Sequence, residues 1–222
     1  MTQDEQSTFI VADDHPLFRE ALTHAIGNCV NGARILEADS LATLQDVVEA
    51  NPGADLLFLD LHMPGVSGFS ALAYIRNKHE SLPTVVVSAM DEGSVIRRAI
   101  QHGASGFIPK SSSIRTIESA IRAVLEGEVW LPEGVDLEDG ALDSEEARTA
   151  AALSSLTPHQ FRVLMMLSEG LLNKQIAFQL GVSEATIKAH VTAILRKMQV
   201  TNRTQAVLAV QGLTAKKPEL ED

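Results

Sequence analysis

Residues Phe9 to Glu20 read FIVADDHPLFRE. An apolar run, Phe9-Ile10-Val11-Ala12, ends in two adjacent acids, Asp13 and Asp14. Pro16 then opens an amphipathic segment, as proline does at the first position of a helix. Two neighbouring carboxylates at the mouth of a buried strand repel each other, and partial desolvation makes this worse. A positive group is therefore expected beside them.

The same rhythm continues to about residue 127. Short apolar runs recur at Ile35-Leu36, Leu56–Leu59, Thr84–Ser88 and Gly106–Ile108. Helix-like segments lie between and after them at Pro16–Ile26, Leu41–Ala50, Ser67–Arg76, Val95–His102 and Ile114–Glu126. Strands apolar on both faces, alternating with helices, indicate a parallel sheet covered on both sides. In such a doubly wound domain ligands gather outside the carboxyl ends of the strands. Those ends carry Asp13-Asp14, Asp60, Ser88 and Lys110. Any one of them reads equally as a cap or a solvated group. Converging together, the acids make a site for a divalent cation, and oxygen ligands without a Cys or His cluster favour Mg2+ over zinc.

Bulk composition sets limits. The chain has 222 residues, a formal net charge of -11 and 45% apolar residues. That length suits two small domains. The charge excludes a generally basic nucleic-acid coat. The one cysteine, Cys29, excludes an intramolecular disulfide and any multi-cysteine metal site. No apolar run is long enough to span a membrane and no leader is visible, so a cytoplasmic protein is expected.

Residues 128–155 break the rhythm at Pro132, Gly134 and Gly140. Seven acids and one base fall between Leu131 and Ala150. The segment reads as a solvated interdomain linker with a short helix from Asp143 to Ala152, anchored by Trp130. A sharper alternative has its acids shield a basic second domain.

That second domain is helical. Thr157-Pro158 starts a helix that Gly170 stops. Lys174–Leu180 follows, stopped by Gly181. Ser183 caps Glu184 to Met198, and Arg203–Gln211 is last. Ala177, Gly181 and Ile187 fit a helix-turn-helix: a small residue at the crossing, a glycine for the left-handed turn, a branched apolar residue behind it. From Thr157 to Thr214 six bases face two acids, the local footprint of a DNA-binding domain in an acidic chain.

The set Asp13-Asp14, Asp60-Leu61-His62-Met63-Pro64 with Gly68, Ser88-Ala89 and Phe107-Ile108-Pro109-Lys110 resembles the receiver domain of bacterial two-component response regulators. Leu156-Thr157, Glu169-Gly170-Leu171, Asn173-Lys174, Thr186-Ile187-Lys188 and Leu195-Arg196-Lys197 resemble the LuxR-type output domain of the NarL/FixJ subclass. The resemblance implies a flavodoxin-like α/β fold of strand order 2-1-3-4-5, followed by an all-α four-helix helix-turn-helix domain. The boundaries expected are a receiver at 7–127, a linker at 128–155, a DNA-binding domain at 156–214 and a tail at 215–222.

It also implies roles. Asp60 accepts a phosphoryl group from a sensor histidine kinase. Asp14, Asp60 and the backbone carbonyl of His62 ligate Mg2+, with Asp13 acting through water. Lys110 and Ser88 meet the phosphoryl oxygens, and Phe107 swings inward with Ser88 or is an ordinary core residue. The helix carrying Glu184, Thr186, Lys188, Ala189 and Thr192 enters the major groove. Lys174, Arg196, Lys197 and Arg203 meet phosphates of promoter DNA, although Arg196 and Lys197 read equally as a solvated helix end. His190 reads equally as scaffold. Val207, Leu208 and Val210 form either a homodimer seam after phosphorylation or core. The sequence departs from the family at His159-Gln160-Phe161-Arg162, where acids are usual, and at Phe178, where a base is usual; both place the interdomain arrangement in question. A Mg2+-dependent phosphohydrolase with Asp60 as nucleophile is the alternative, but His62 stands where such enzymes want a second acid. A flavodoxin-like nucleotide binder would want a glycine loop that Asp13-Asp14-His15-Pro16 does not provide. The chain is therefore expected to be a regulator and not an enzyme.

Overall fold

The computed structural model describes residues 6–135 and 144–214. Its first part alternates strand and helix: β1 (Thr8–Ala12), α1 (Pro16–Cys29), β2 (Arg34–Ala38), α2 (Leu41–Ala50), β3 (Leu56–Asp60), α3 (Ser70–Lys78), β4 (Thr84–Ser88), α4 (Gly93–Gln101), β5 (Gly106–Pro109) and α5 (Ile114–Leu125). All strands are parallel, in the order β2-β1-β3-β4-β5.

The two-residue period of each strand divides its side chains between two layers. Phe9, Val11, Phe58, Val85, Val87 and Ile108 pack with Leu22, Ile26, Ile117 and Ile121 of α1 and α5. Ile10, Leu57, Leu59, Val86 and Phe107 face the opposite way, with Leu44, Leu72 and Ile96 of α2, α3 and α4. The second layer continues into the helical part of the chain, so one core spans both.

Helix α3 begins later than Ser67. The Ser67 N–H is turned onto the Ser70 hydroxyl at 3.3 Å, which holds residues 67–69 in a turn. Strand β5 is not left as an open edge. Trp130 pairs beside Gly106, with Phe107 N–H donating to Trp130 O at 3.0 Å and Trp130 N–H to Ser105 O at 3.2 Å. A Cβ on Gly106 would sit 3.0 Å from that Trp130 oxygen, so the approach requires glycine.

The helical part is α6 (Ser144–Ser154), α7 (Pro158–Ser168), α8 (Asn173–Leu180), α9 (Glu184–Lys197) and α10 (Arg203–Gly212). Side-chain caps start most of these helices: Thr157 with Gln160 forms a capping box, and Ser183 and Asn202 accept from the third residue on. Gly181, at φ 65°, makes the left-handed turn between α8 and α9. No described helix is long and apolar enough to cross a membrane.

Helix α6 corrects the expectation of a solvated spacer. It buries Thr149, Ala150 and Leu153 and packs along α3. Ala150 on its inner face lets the two helices approach, and of its acids Glu145 is exposed while the Glu146 side chain is largely covered. Asp136, Glu138, Asp139 and Asp143, and the tail 215–222, lie outside the described residues. Helix α7 closes the other side of the seam: Phe161 stacks on Tyr74 of α3, and Arg162 Nε donates to Gln45 Oε1 of α2 at 3.3 Å.

Candidate functional site

Strand register brings the chemical groups to one edge. Ala12 pairs with Leu59, Asp60 with Val87 and Ser88 with Pro109. Asp13, Asp60, Ser88 and Lys110 thus leave adjacent strands side by side. Asp13, Asp60 and Ser88 are buried. Lys110 Nζ lies 2.8 Å from Asp60 Oδ2 in a directed hydrogen bond and 2.7 Å from Asp13 Oδ2. This is the cation that the acidic pair demands.

The contact to Asp13 Oδ2 is close enough for charge attraction but off the hydrogen-bond direction, and that buried oxygen has no directed partner. Asp14 Oδ1 is in the same position, 2.8 Å from His15 Nδ1 yet without a directed bond. Buried polar atoms are normally satisfied, so these two oxygens are open to a further ligand. One ligand atom each from Asp13, Asp14, His15 and Asp60 lies within 4.8 Å of the others. Hard carboxylate oxygens with open lone pairs fit Mg2+.

The remaining pocket groups are placed as follows. The His62 side chain is exposed, and the His62 backbone N–H donates to Asp60 Oδ1 at 3.1 Å. Ser88 Oγ accepts from Met90 N–H at 3.1 Å. Phe107 is fully buried in the layer under α3 and α4. His15 joins the pocket as well. Its ring stands 3.3 Å from both Asp13 Oδ1 and Lys110 Nζ; adjacency to the acid pair was the one sequence signal for this.

On the helix-turn-helix, Glu184, Thr186, Lys188, Ala189 and Thr192 line one exposed face of α9. Lys188 pairs with Glu184 at 3.0 Å, and Thr192 Oγ1 donates to Lys188 O. Lys174 and Arg196 are exposed, and His190 is half-buried.

Two expected phosphate contacts are placed differently. Lys197 Nζ donates to Ser155 O at 2.6 Å and Gln160 Oε1 at 2.8 Å. Arg203 Nη2 donates to Leu171 O at 2.7 Å and Leu167 O at 3.3 Å, closing the C-terminal end of α7. Both cations satisfy orphan helix-end and turn carbonyls, a use that charge counting does not distinguish from DNA contact. The expected seam on α10 is also corrected in part. Val210 is fully buried with Ala206 and Leu213, Val207 is half-buried, and only Leu208 is well exposed, at 58%. The helical period turns position 210 to the core and 208 outward.

The family model described as "Response regulator receiver domain" matches residues 9–122, and that described as "Bacterial regulatory proteins, luxR family" matches residues 154–210. The glycerol metabolism activator of Pseudomonas putida is 40% identical over 205 residues, spanning 90% of this chain and 93% of its own. The nitrate/nitrite response regulator protein NarL of Escherichia coli (strain K12) is 30% identical over 212 residues, spanning 95% and 97%. Among solved structures, RcsB of Salmonella enterica serovar Typhimurium, bound to promoter P1flhDC in the presence of phosphomimetic BeF3-, is 22% identical. It superposes with a TM-score of 0.55 over 95% of this chain and 100% of that one; at that identity the fold is what the two share. The signal receiver domain of the putative response regulator NarL from Mycobacterium tuberculosis is 32% identical, with a TM-score of 0.50 over 56% of this chain and 99% of its own.

Proposed function

The chain belongs to the response regulators that join a receiver domain to a LuxR-type DNA-binding domain, and on that premise we propose that Asp60 is the residue through which its signal enters. The protein is a DNA-binding transcriptional response regulator. The phosphoryl donor proposed is the phosphohistidine of a sensor kinase. An Asp60 carboxylate oxygen attacks phosphorus, the P–N bond breaks, and an acyl phosphate forms on the aspartate. Asp13, Asp14, Asp60 and the His62 carbonyl would hold Mg2+, which when bound supplies positive charge against the transferring phosphoryl oxygens. Lys110, already at the pocket, transfers its contact from carboxylate to phosphoryl oxygen as a compact point charge. The Ser88 hydroxyl turns from Met90 N–H to donate to the phosphoryl group.

The observation that carries this reading is the pair of contacts from Lys110 Nζ to Asp13 and Asp60, which bring the ends of β1, β3 and β5 together. On the output side α9 enters the major groove of promoter DNA, with Lys188 and Thr192 toward base edges and Lys174 and Arg196 toward phosphates. Phosphorylation favours a homodimer on DNA, and Leu208 is the α10 residue exposed for it. The test is phosphoryl incorporation from acetyl phosphate, with and without Mg2+, in wild type and Asp60→Ala. Labelling that needs Mg2+ and disappears in the variant is expected. Unlabelled, folded wild type would overturn the assignment.

A further inference from the structure

Arg98, on α4, is the point where three parts of the chain meet. Its Nε and Nη2 donate to Glu146 Oε1 of α6, at 3.0 and 2.8 Å. Nη2 also donates to Gly212 O at 2.9 Å, and Nη1 to Thr214 O at 3.3 Å, both at the end of α10. The guanidinium lies over the Phe69 ring, 4.8 Å from its centroid. His102 stacks on that ring at 5.3 Å and places Nε2 2.7 Å from the same Glu146 oxygen. Phe69 N–H in turn donates to Leu213 O at 2.9 Å, and Ser67 Oγ lies 3.2 Å from Thr214 Oγ1.

This is not an incidental surface pair. The side chains of Arg98, Glu146 and His102 are 26%, 14% and 1% exposed. Exposed pairs contribute little, whereas removing one partner of a buried pair strands the other charge. Arg98 and His102 come from the sheet half of the molecule, and Glu146 and the Gly212 and Thr214 carbonyls from the helical half, so the stranded charge appears only if the halves part.

We infer that Arg98, with Glu146 and His102, is the clasp that holds the output domain against the receiver, and that it is where the phosphoryl signal is read. The second part rests on Asp60 being the phosphoacceptor. Two of the four segments that leave the acidic pocket run into the clasp. The loop after Asp60 ends at Phe69, the ring that both Arg98 and His102 contact. The chain after Ser88 passes Met90, whose N–H the Ser88 hydroxyl now accepts, and enters α4, which carries Arg98. When Ser88 turns to a phosphoryl group that bond is lost, and the start of α4 is released from one of its anchors. The clasp is thus a two-state element that the pocket can bias.

The clasp grips α6 and the last turn of α10. It does not cover α9, whose outward Glu184, Lys188 and Thr192 remain exposed. Closure therefore acts by fixing where the output domain and α10 sit, and not by burying the side chains offered to DNA.

The experiment is residue-resolved amide hydrogen exchange on the full chain, which detects partial opening even when the open form is rare. Phe69 N–H, bonded across the seam, is the reporter; β1 and β3 amides are the control for global unfolding. Arg98→Ala is expected to speed Phe69 exchange about tenfold or more, with β1 and β3 unchanged. Glu146→Gln, which keeps the volume, is expected to move it the same way. The double variant is expected to add little to Arg98→Ala. Unchanged Phe69 exchange in both single variants would overturn the clasp. In wild type, acetyl phosphate with Mg2+ is expected to speed the same amide. Labelling of Asp60 without that change would overturn the signal route. Failure to label would overturn the Asp60 reading, while exchange in the unphosphorylated variants still decides the clasp.

Discussion

The rings of Tyr74 and Phe161 lie face to face, centroids 4.2 Å apart and planes 8° from parallel, one from the sheet domain and one from the helical domain. Offset or tilted pairs are the usual preference, and here Lys78 Nζ adds a cation 5.4 Å from the Tyr74 centroid. Phe161 and Arg162 occupy the stretch where the family usually carries acids. The departure falls on residues that make the seam: Phe161 through the stack, Arg162 through Gln45 and Asp46.

Tyr74 is the only tyrosine in the chain, so its phenolate absorbance reports on the seam alone. Burial, then the nearby Glu49 carboxylate, pushes its pKa up to about 12. The docked form holds the neutral phenol. Its contribution to docking is complete below about 10, the ordinary tyrosine value, and is lost as pH rises through about 12. In ultraviolet titration Arg98→Ala is expected to move the midpoint down toward the ordinary value. An unmoved midpoint in a variant whose Phe69 exchange has accelerated would show that the stack survives opening of the clasp.

Lys110→Met leaves Asp13 and Asp60 buried without their ammonium. Removing one partner of such a group costs about 3 kcal/mol or more, and Lys110 is 14% exposed. Urea unfolding is expected to show this loss in chelator. Mg2+ should restore a larger share of stability to the variant than it adds to wild type, because it replaces the missing charge. Equal Mg2+ effects on both would argue against a cation held by these carboxylates.

His102 gives the seam a dependence on acid. Burial lowers its pKa and Arg98 lowers it further, against the raising effect of Glu146; the net direction is down from 6.5. The docked form thus favours the neutral imidazole, with Nε2–H donating to Glu146. A depressed base contributes stability that is complete above the ordinary value and is lost as pH falls from about 6.5 through the depressed one. Phe69 exchange, corrected for the intrinsic pH effect, is expected to accelerate over that window. His102→Gln should flatten the dependence.

Val210→Ala and Leu208→Ala separate core from surface on one helix. Val210 is fully buried, and its truncation is expected to cost the domain about 1–3 kcal/mol in urea unfolding. Leu208→Ala should leave stability within about 0.5 kcal/mol while weakening phosphorylation-dependent assembly on DNA. A loss of stability equal to that of Val210→Ala would remove Leu208 from the dimer face.

The acidic pocket was legible because strand ends are set by local apolar runs and a parallel sheet places them at one edge. The helix-turn-helix was legible because Gly181 and its neighbours act over a few residues. What sequence could not show is long-range. Glu146 looked like one more acid in a solvated stretch; its partners are 48 and 44 residues away on α4 and just beyond it. Lys197 and Arg203 counted toward a basic footprint, because composition does not record which carbonyls lie within reach. Val210 and Leu208 are equally apolar in sequence, and only the helical phase against α7 and α9 distinguishes them.

Trp130 has a consequence for what the molecule avoids. A parallel sheet five strands wide ends in a row of unpaired amide and carbonyl groups along β5, and such a row is a template on which another chain can add a strand. The Trp130 backbone occupies part of that row at Phe107 and Ser105, and its side chain packs on the core layer of α1 and α5. Gly106 is what lets it come so close. A larger residue at Gly106 would push the segment away, and the molecule would then risk growing into edge-to-edge aggregates while its acidic pocket and α9 remained intact.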